Sequence, residues 1–272
     1  KLGSIHNTVI TMGRSSVSEY QCDVRNKELL SYVFEELEPD IIINLVALTD
    51  VDLCEAFPRK AYLINVKALE NIVNWIESSD KKCHLVQISS DQVYDGNGPH
   101  SESQEMLTNY YAFSKYMAEL IALRVPSTVL RTNFIGKSKC PGRGSFTDWI
   151  YGSSFKKERV FLFNDVFFSP LSMETLAEMI SLVVMAKPQG VYNLGSRMGL
   201  SKSEFALLFA DKLSLSFSNM EVISIDDVTF MKTYRPKDMR MDVTKFEQSL
   251  GIILPTLENE IDRLIGDYNE DS

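Results

Sequence analysis

Apolar and polar positions alternate in regular blocks along the first half of the chain. Asn7–Gly13 is rich in β-branched residues and reads as a strand, with a short second strand within Ser18–Val24. Asn26–Leu37 carries apolar residues at helical spacing, with its start at Asp23–Val24 and Pro39 beyond its end. Asp40–Ala47 is apolar on both faces, as a central parallel strand should be. A helix over about Ala61–Glu77 follows, then a strand at His84–Ser90, a helix near Tyr110–Arg124 and a strand at Ser127–Asn133. Strands that alternate with helices imply crossover connections and a parallel sheet covered on both faces. The expected class is α/β, a Rossmann-type doubly wound parallel sheet.

From Gly136 the rhythm loosens. A Gly/Pro/basic loop, "GKSKCPGRGS", leads into a helix near Phe146–Phe155, a strand at Arg159–Phe163 and a helix near Glu174–Met185. A strand at Gly190–Gly195, a helix over Ser201–Leu213, the segment "TYRPKDMRMD" and a helix near Leu257–Ile265 complete the chain. Residues 1–135 are therefore read as a dinucleotide-binding domain, and 136–272 mainly as a small C-terminal α/β substrate lobe, partly intertwined with the first.

Composition narrows the function classes. The 272 residues are 44% hydrophobic and 24% charged, as in a globular protein. No apolar run approaches the roughly 20 residues that span a bilayer, so no membrane association is expected. The opening residues lack a signal-peptide succession, and four scattered cysteines without a C-x-x-C pair suit reduced thiols in the cytoplasm. The three histidines stand far apart, and no metal site is expected. A net charge of −9 argues against a nucleic-acid partner but leaves room for a local basic cluster that holds an anionic small molecule.

A dinucleotide-binding fold opens with a strand and a G-x-G-x-x-G loop. Here the strand ending in Gly13 and Arg14 looks like the second strand of such a fold. The first strand and glycine loop are expected to be missing or cut short, with Leu2–Ser4 as a remnant.

"INLVALTDVDLCE" (Ile43–Glu55), "LINV" (Leu63–Val66), "SSDQVYDG" (Ser89–Gly96) and "YYAFSK" (Tyr110–Lys115) occur in this order, with "RTNFIG" and "RPKDMRMD" further on. In order and spacing the chain resembles the extended short-chain dehydrogenases/reductases, and most closely the dTDP-4-dehydrorhamnose reductase type. That type includes a non-catalytic branch serving as a regulatory subunit of methionine adenosyltransferase.

The resemblance implies NADP or NAD as cofactor and a nucleotide sugar as substrate, with a 4-keto group of a deoxysugar reduced. It implies Ser90, Asp91, Tyr111 and Lys115 as the catalytic set. The cofactor contacts it implies are Arg14, Asp23, Val24, Asn44, Ala47 and Asn65, together with Tyr111 and Lys115. Arg14 is equally readable as a solvated strand-end charge, and Asn65 as a side chain satisfying buried backbone. On the substrate side stand Asn133, Phe134, Arg143 and Arg235. Phe134 reads equally as core, Arg143 as part of a mobile basic loop, and Arg235 as a tie to Asp242. Gln92 departs from the aromatic residue usual at its position. A homodimer stays open.

The chemistry suits these residue types. A phenol with an ordinary pKa near 10 is a poor acid at neutral pH. Lys115, one turn beyond Tyr111, is expected to lower that pKa by its charge. Ser90 is expected to donate to the developing oxyanion. Tyr110 has Ser114 at the same spacing and cannot play the part of Tyr111. Two alternatives remain: a nucleotide-sugar epimerase or dehydratase, with dehydration disfavoured by Gln92 after Asp91, and a non-catalytic nucleotide-binding regulatory subunit.

Overall fold

The computed structural model describes residues 8–15, 17–140, 142–155, 159–216 and 218–269. Its elements begin with β1 (Met12–Gly13), β2 (Tyr20–Gln21), α1 (Lys27–Leu37), β3 (Ile41–Asn44), α2 (Val51–Ala56) and α3 (Pro58–Ala61). A π-helical segment (Tyr62–Lys67) leads into α4 (Ala68–Ser78), followed by β4 (His84–Ile88), a 3-10 turn (Asp91–Val93), α5 (Tyr110–Ala122) and β5 (Ser127–Thr132). Then come β6 (Phe134–Ile135), α6 (Phe146–Ser154), β7 (Val160–Phe163), β8 (Phe167–Phe168), β9 (Leu171–Ser172), α7 (Met173–Ala186) and β10 (Gly190–Leu194). The chain continues with β11 (Leu200–Ser201), α8 (Lys202–Lys212), β12 (Met220–Ile223), a 3-10 turn (Ile225–Asp227), α9 (Thr244–Leu250) and α10 (Leu257–Asn269).

The chain divides into two units, and it passes between them repeatedly. Unit 1 is Lys1–Val93, Leu107–Arg131 and Ala177–Tyr192; unit 2 is Tyr94–Met106, Thr132–Leu176 and Asn193–Ser272. The sequence reading put one boundary at residue 135. In the structure that crossing falls between Arg131 and Thr132, and segments 94–106 and 177–192 are exchanged as well.

In unit 1 the hydrogen-bonded strand order is β10-β5-β4-β3, with β3, β4 and β5 parallel. Leu30 and Phe34 of α1, Ile72, Val73 and Trp75 of α4, and Ala118 and Ala122 of α5 pack with Ile42, Leu85 and Val129 of the sheet. Alanines on α5 let its backbone approach the strands closely. Phe34 meets Trp75 edge-on at 4.9 Å between ring centroids.

Three expectations are corrected here. The strand read over Asn7–Gly13 shrinks to β1, paired in parallel with β2; Asn7 and the Leu2–Ser4 remnant lie outside the described residues. The Glu19 carboxylate takes the Thr11 N–H at 3.0 Å, which ends the ladder, and Val9 and Ile10 stay exposed. Second, among the described residues β3 lies at one end of its four-strand order, and its residues alternate between half-buried and buried where burial on both faces was expected. Third, α1 is capped by Asn26, whose side chain accepts from Leu29 N at 3.1 Å, because Asp23 is engaged by Arg25.

Unit 2 is built from short strand pairs: β6 with β9 and β7 with β12 in parallel, and β8 with β11 antiparallel. Phe168, Phe205, Phe209, Leu257, Ile261 and Tyr268 form its core. Capping boxes at Ser145 and Ser201 fix the starts of α6 and α8. Most of these strands are two residues long, too short to leave a periodic trace in the sequence. Among the described residues no helix is long and apolar enough to cross a membrane.

Candidate active site

The start of α5 sets the geometry of the candidate site. Asn109 caps the helix by accepting from Ala112 N at 2.9 Å, and the Glu55 carboxylate accepts from Tyr110 N at 3.1 Å. The helix therefore begins at Tyr110, which puts Tyr111 in its first turn and Lys115 one turn on. On the sheet side β4 ends at Ile88, and Ser89 extends the ladder by donating its N–H to Leu130 O at 2.7 Å. Ser90 follows, and Asp91 opens the 3-10 turn. Ligands of open α/β sheets bind at such carboxyl strand ends.

Ser90, Asp91, Tyr111 and Lys115 are all buried, in unit 1. The Ser90 side chain lies beside the Tyr111 phenol and draws its pKa down. Ser90 Oγ also donates to Asp91 Oδ1 at 3.3 Å and accepts from Gln92 N at 3.2 Å. The phenol ring lies in an apolar pocket of Val51, Cys54 and Ala61, with Leu48 beside it. Burial pushes the phenol up to about 12; Ser90 opposes this and the Asp91 charge adds to it.

That corrects the expectation of a phenol lowered by Lys115. The ammonium donates to Ile88 O at 2.7 Å, and burial brings Lys115 itself down to about 8, against an upward push from Glu119. Desolvation is the largest cause of both shifts.

The implied cofactor contacts fall into two groups. Asn44 ends β3 and donates to Gln87 Oε1 at 2.7 Å; Gln87 in turn donates to Ile88 O at 2.8 Å, the oxygen that receives Lys115. Asn65, on the π-helical segment, clasps both backbone groups of Leu48: Leu48 N donates to its Oδ1 at 2.6 Å, and its Nδ2 donates to Leu48 O at 3.1 Å and to Ser114 Oγ at 2.8 Å. Satisfying buried backbone is thus what Asn65 does, and by this it ties the loop after β3, with half-buried Ala47 and exposed Leu45, to α5.

The second group sits at β1 and β2. Arg14 is exposed, with its carbonyl accepting from Gln21 Nε2 at 3.0 Å. Asp23 is gripped by Arg25, which holds its carboxyl down at about 2. Val24 is buried in the unit 1 core, and its carbonyl accepts from Asn71 Nδ2 at 3.0 Å.

The implied substrate residues all lie in unit 2. Asn133 O accepts from Leu171 N at 3.0 Å, and Phe134 starts β6 and is 52% exposed, so it is not core. Arg143 is exposed, and half-buried Arg235 donates to Thr233 O at 3.0 Å.

The sequence reading missed Glu119 and Arg131, which form a fully buried ion pair behind Ser89 and Lys115. Two signals were available. Glu119 follows Lys115 by four on one helix face, and Arg131 is the one charge in an otherwise uncharged, buried strand.

Residues 4–270 match the family model for the RmlD substrate binding domain. The dTDP-4-dehydrorhamnose reductase of Escherichia coli is 24% identical over 266 residues, covering 92% of this chain and 87% of that protein. The crystal structure of a hypothetical dTDP-4-dehydrorhamnose reductase from Sulfolobus tokodaii is similar, with a TM-score of 0.82, 30% identity, and coverage of 95% of this chain and 91% of that one. The fold is shared as well by the dTDP-4-dehydrorhamnose reductase of Bacillus anthracis in complex with NADP, with a TM-score of 0.80, 24% identity, and coverage of 91% and 87%. A family-model match over nearly the whole length makes the chain a member of the RmlD substrate-binding-domain family of sugar-nucleotide reductases, of the extended short-chain dehydrogenase/reductase type.

Proposed function

We propose that the protein is an NAD(P)-dependent oxidoreductase that reduces the 4-keto group of a nucleotide-activated deoxysugar. The observation that carries this reading is the convergence of Ser90, Tyr111 and Lys115, all buried, at the carboxyl end of β4. A reduced nicotinamide, when bound, supplies the hydride; the protein supplies the proton and the oxyanion contacts. Tyr111 is the proton donor for the carbonyl oxygen, since its raised pKa keeps it protonated at neutral pH. Ser90, beside Tyr111, acts with it to stabilise the alkoxide. Asp91, next to Ser90, orients the Ser90 hydroxyl.

The residues present fit a dinucleotide. An ammonium has three donors, and Lys115 spends one on Ile88 O with no other hydrogen-bond partner among the described residues. Its remaining donors suit a ribose diol. Asn44 and Ala47 at the end of β3, with Asn65 behind them, would line the same cofactor; Arg14 and Asp23 would meet its adenosine end. In unit 2 the exposed Phe134 ring and Arg143 charge, with Asn133 and Arg235, suit a sugar nucleotide. The free, buried thiols of Cys22, Cys54 and Cys83 support a reducing, cytoplasmic setting.

Calorimetric titration with NADPH and NADH tests the cofactor claim. Saturable binding that weakens at least tenfold in Lys115→Met is expected; binding indifferent to that change overturns the assignment of Lys115.

A further inference from the structure

We propose that the buried Glu119–Arg131 pair is a positioning device for this site: through Ser89 it fixes the strand end that presents Ser90, and through its carboxylate it keeps Lys115 charged. The inference rests on the reductase reading only for its kinetic consequences.

One carboxylate joins three elements. Arg131 of β5 donates to Glu119 of α5 through Nε, at 3.0 and 3.1 Å to the two oxygens, and through a terminal nitrogen at 2.6 Å. Ser89, just past β4, donates its hydroxyl to the same carboxylate at 2.5 Å. With its N–H on Leu130 O, Ser89 is held by backbone and side chain together, and its neighbour Ser90 inherits that placement.

Glu119 also lies one turn beyond Lys115, as Tyr111 lies one turn before it. The charged group acting on Lys115 is Glu119, with Arg131 of β5 beyond it; Asp91 from the 3-10 turn and Cys54 of α2 act on Tyr111, one turn back. The π-helical segment presents the neutral Asn65, and α4 meets α5 through apolar side chains. Among these, Glu119 is the group whose charge raises Lys115 against its burial.

A stabilising role alone does not account for the pair. Both side chains are 1% exposed, and taking two charges out of water costs so much that apolar replacements of similar volume are often neutral or stabilising. The position of the carboxylate between Ser89 and Lys115 supplies the reason to keep it.

The test uses the double variant Glu119→Leu/Arg131→Met, with Ser89→Ala as a second variant that leaves the ion pair in place. In the free protein, NMR titration of Lys115 should run near 8 in the parent and about one unit lower in the double variant. Ser89→Ala should leave that titration unchanged and lower kcat about 10-fold, since small misplacements of a reacting group are costly. A Lys115 titration in the double variant at or above that of the parent overturns the electrostatic half, whether or not the protein turns over. Unchanged kcat in Ser89→Ala overturns the positioning half. If the double variant does not fold, Glu119→Gln, read by the same Lys115 titration, takes its place with the same two outcomes. A parent that reduces no substrate while its Lys115 titrates as stated refutes the reductase reading and leaves the electrostatic half standing.

Discussion

Tyr111 and Lys115 stand one turn apart on α5 yet face different surroundings, the phenol set in an apolar pocket near Ser90 and the ammonium bonded to the carbonyl of Ile88. Each is buried, and burial drives their pKa values in opposite directions, up for the phenol and down for the amine. Both shifts favour the uncharged form. A tyrosine that stays protonated suits a donor in the reducing direction, and an amine that titrates near 8 is sensitive to what binds beside it.

The pH dependence of stability follows from Lys115. Its folded pKa of about 8 lies below its ordinary 10.5, so between those values the unfolded chain binds more protons than the folded one. This group's contribution to stability therefore rises with pH across that window. Urea unfolding midpoints of parent and Lys115→Met, compared at pH 8 and 10, should show the rise in the parent relative to the variant; equal slopes would remove the basis for a depressed Lys115.

Asn65 is expected to matter for stability before it matters for chemistry. Asn65→Leu strips both backbone groups of Leu48 of their partner and also loses Ser114. Leaving buried backbone groups unpaired costs about 1–3 kcal/mol each. Equilibrium denaturation should register a loss of about 2 kcal/mol or more.

Gln92 behaves in the opposite sense. Its Oε1 is buried with no hydrogen-bond partner among the described residues. Gln92→Met removes that acceptor at similar volume and should stabilise the free protein by about 1 kcal/mol. A destabilised variant would mean that the oxygen has a partner in solution.

Asp23 should titrate far below an ordinary carboxyl. Arg25 holds it at about 2, chiefly through side-chain hydrogen bonding. Its folded pKa is depressed, so the stability it contributes is present above about 4 and is lost as pH falls toward 2. Arg25→Ala should return the carboxyl towards its ordinary value in an NMR titration, and should remove that part of the acid sensitivity.

How much of this was legible in sequence depends on the length and locality of each signal. The crossover strands and α5 could be read because apolar-rich stretches such as Asp40–Ala47 and His84–Ser90 are long enough to mark buried strands. Ser90, Tyr111 and Lys115 could be read because their motifs are local in the chain. The Lys115 contact to Ile88 O was not legible, since it spans 27 positions and depends on how deeply α5 settles on the sheet. The roles expected of Asp23 and Val24 gave no hint of the Arg25 grip or of the Val24 side chain in the core. Unit 2 was the least legible half, because strands as short as β6, β8, β9 and β11 are made by pairing partners and not by local pattern.

The most direct test of the account is a coupled measurement on one panel of nucleotide-activated 4-keto deoxysugars. With NADPH and the parent protein, the nicotinamide absorbance should fall as the ketone becomes an alcohol. With Tyr111→Phe, cofactor binding should persist while kcat drops about 100-fold or more, the span expected for loss of a general acid. Turnover in Tyr111→Phe equal to that of the parent would contradict the account at its centre, as would a parent that binds NADPH and reduces no member of the panel.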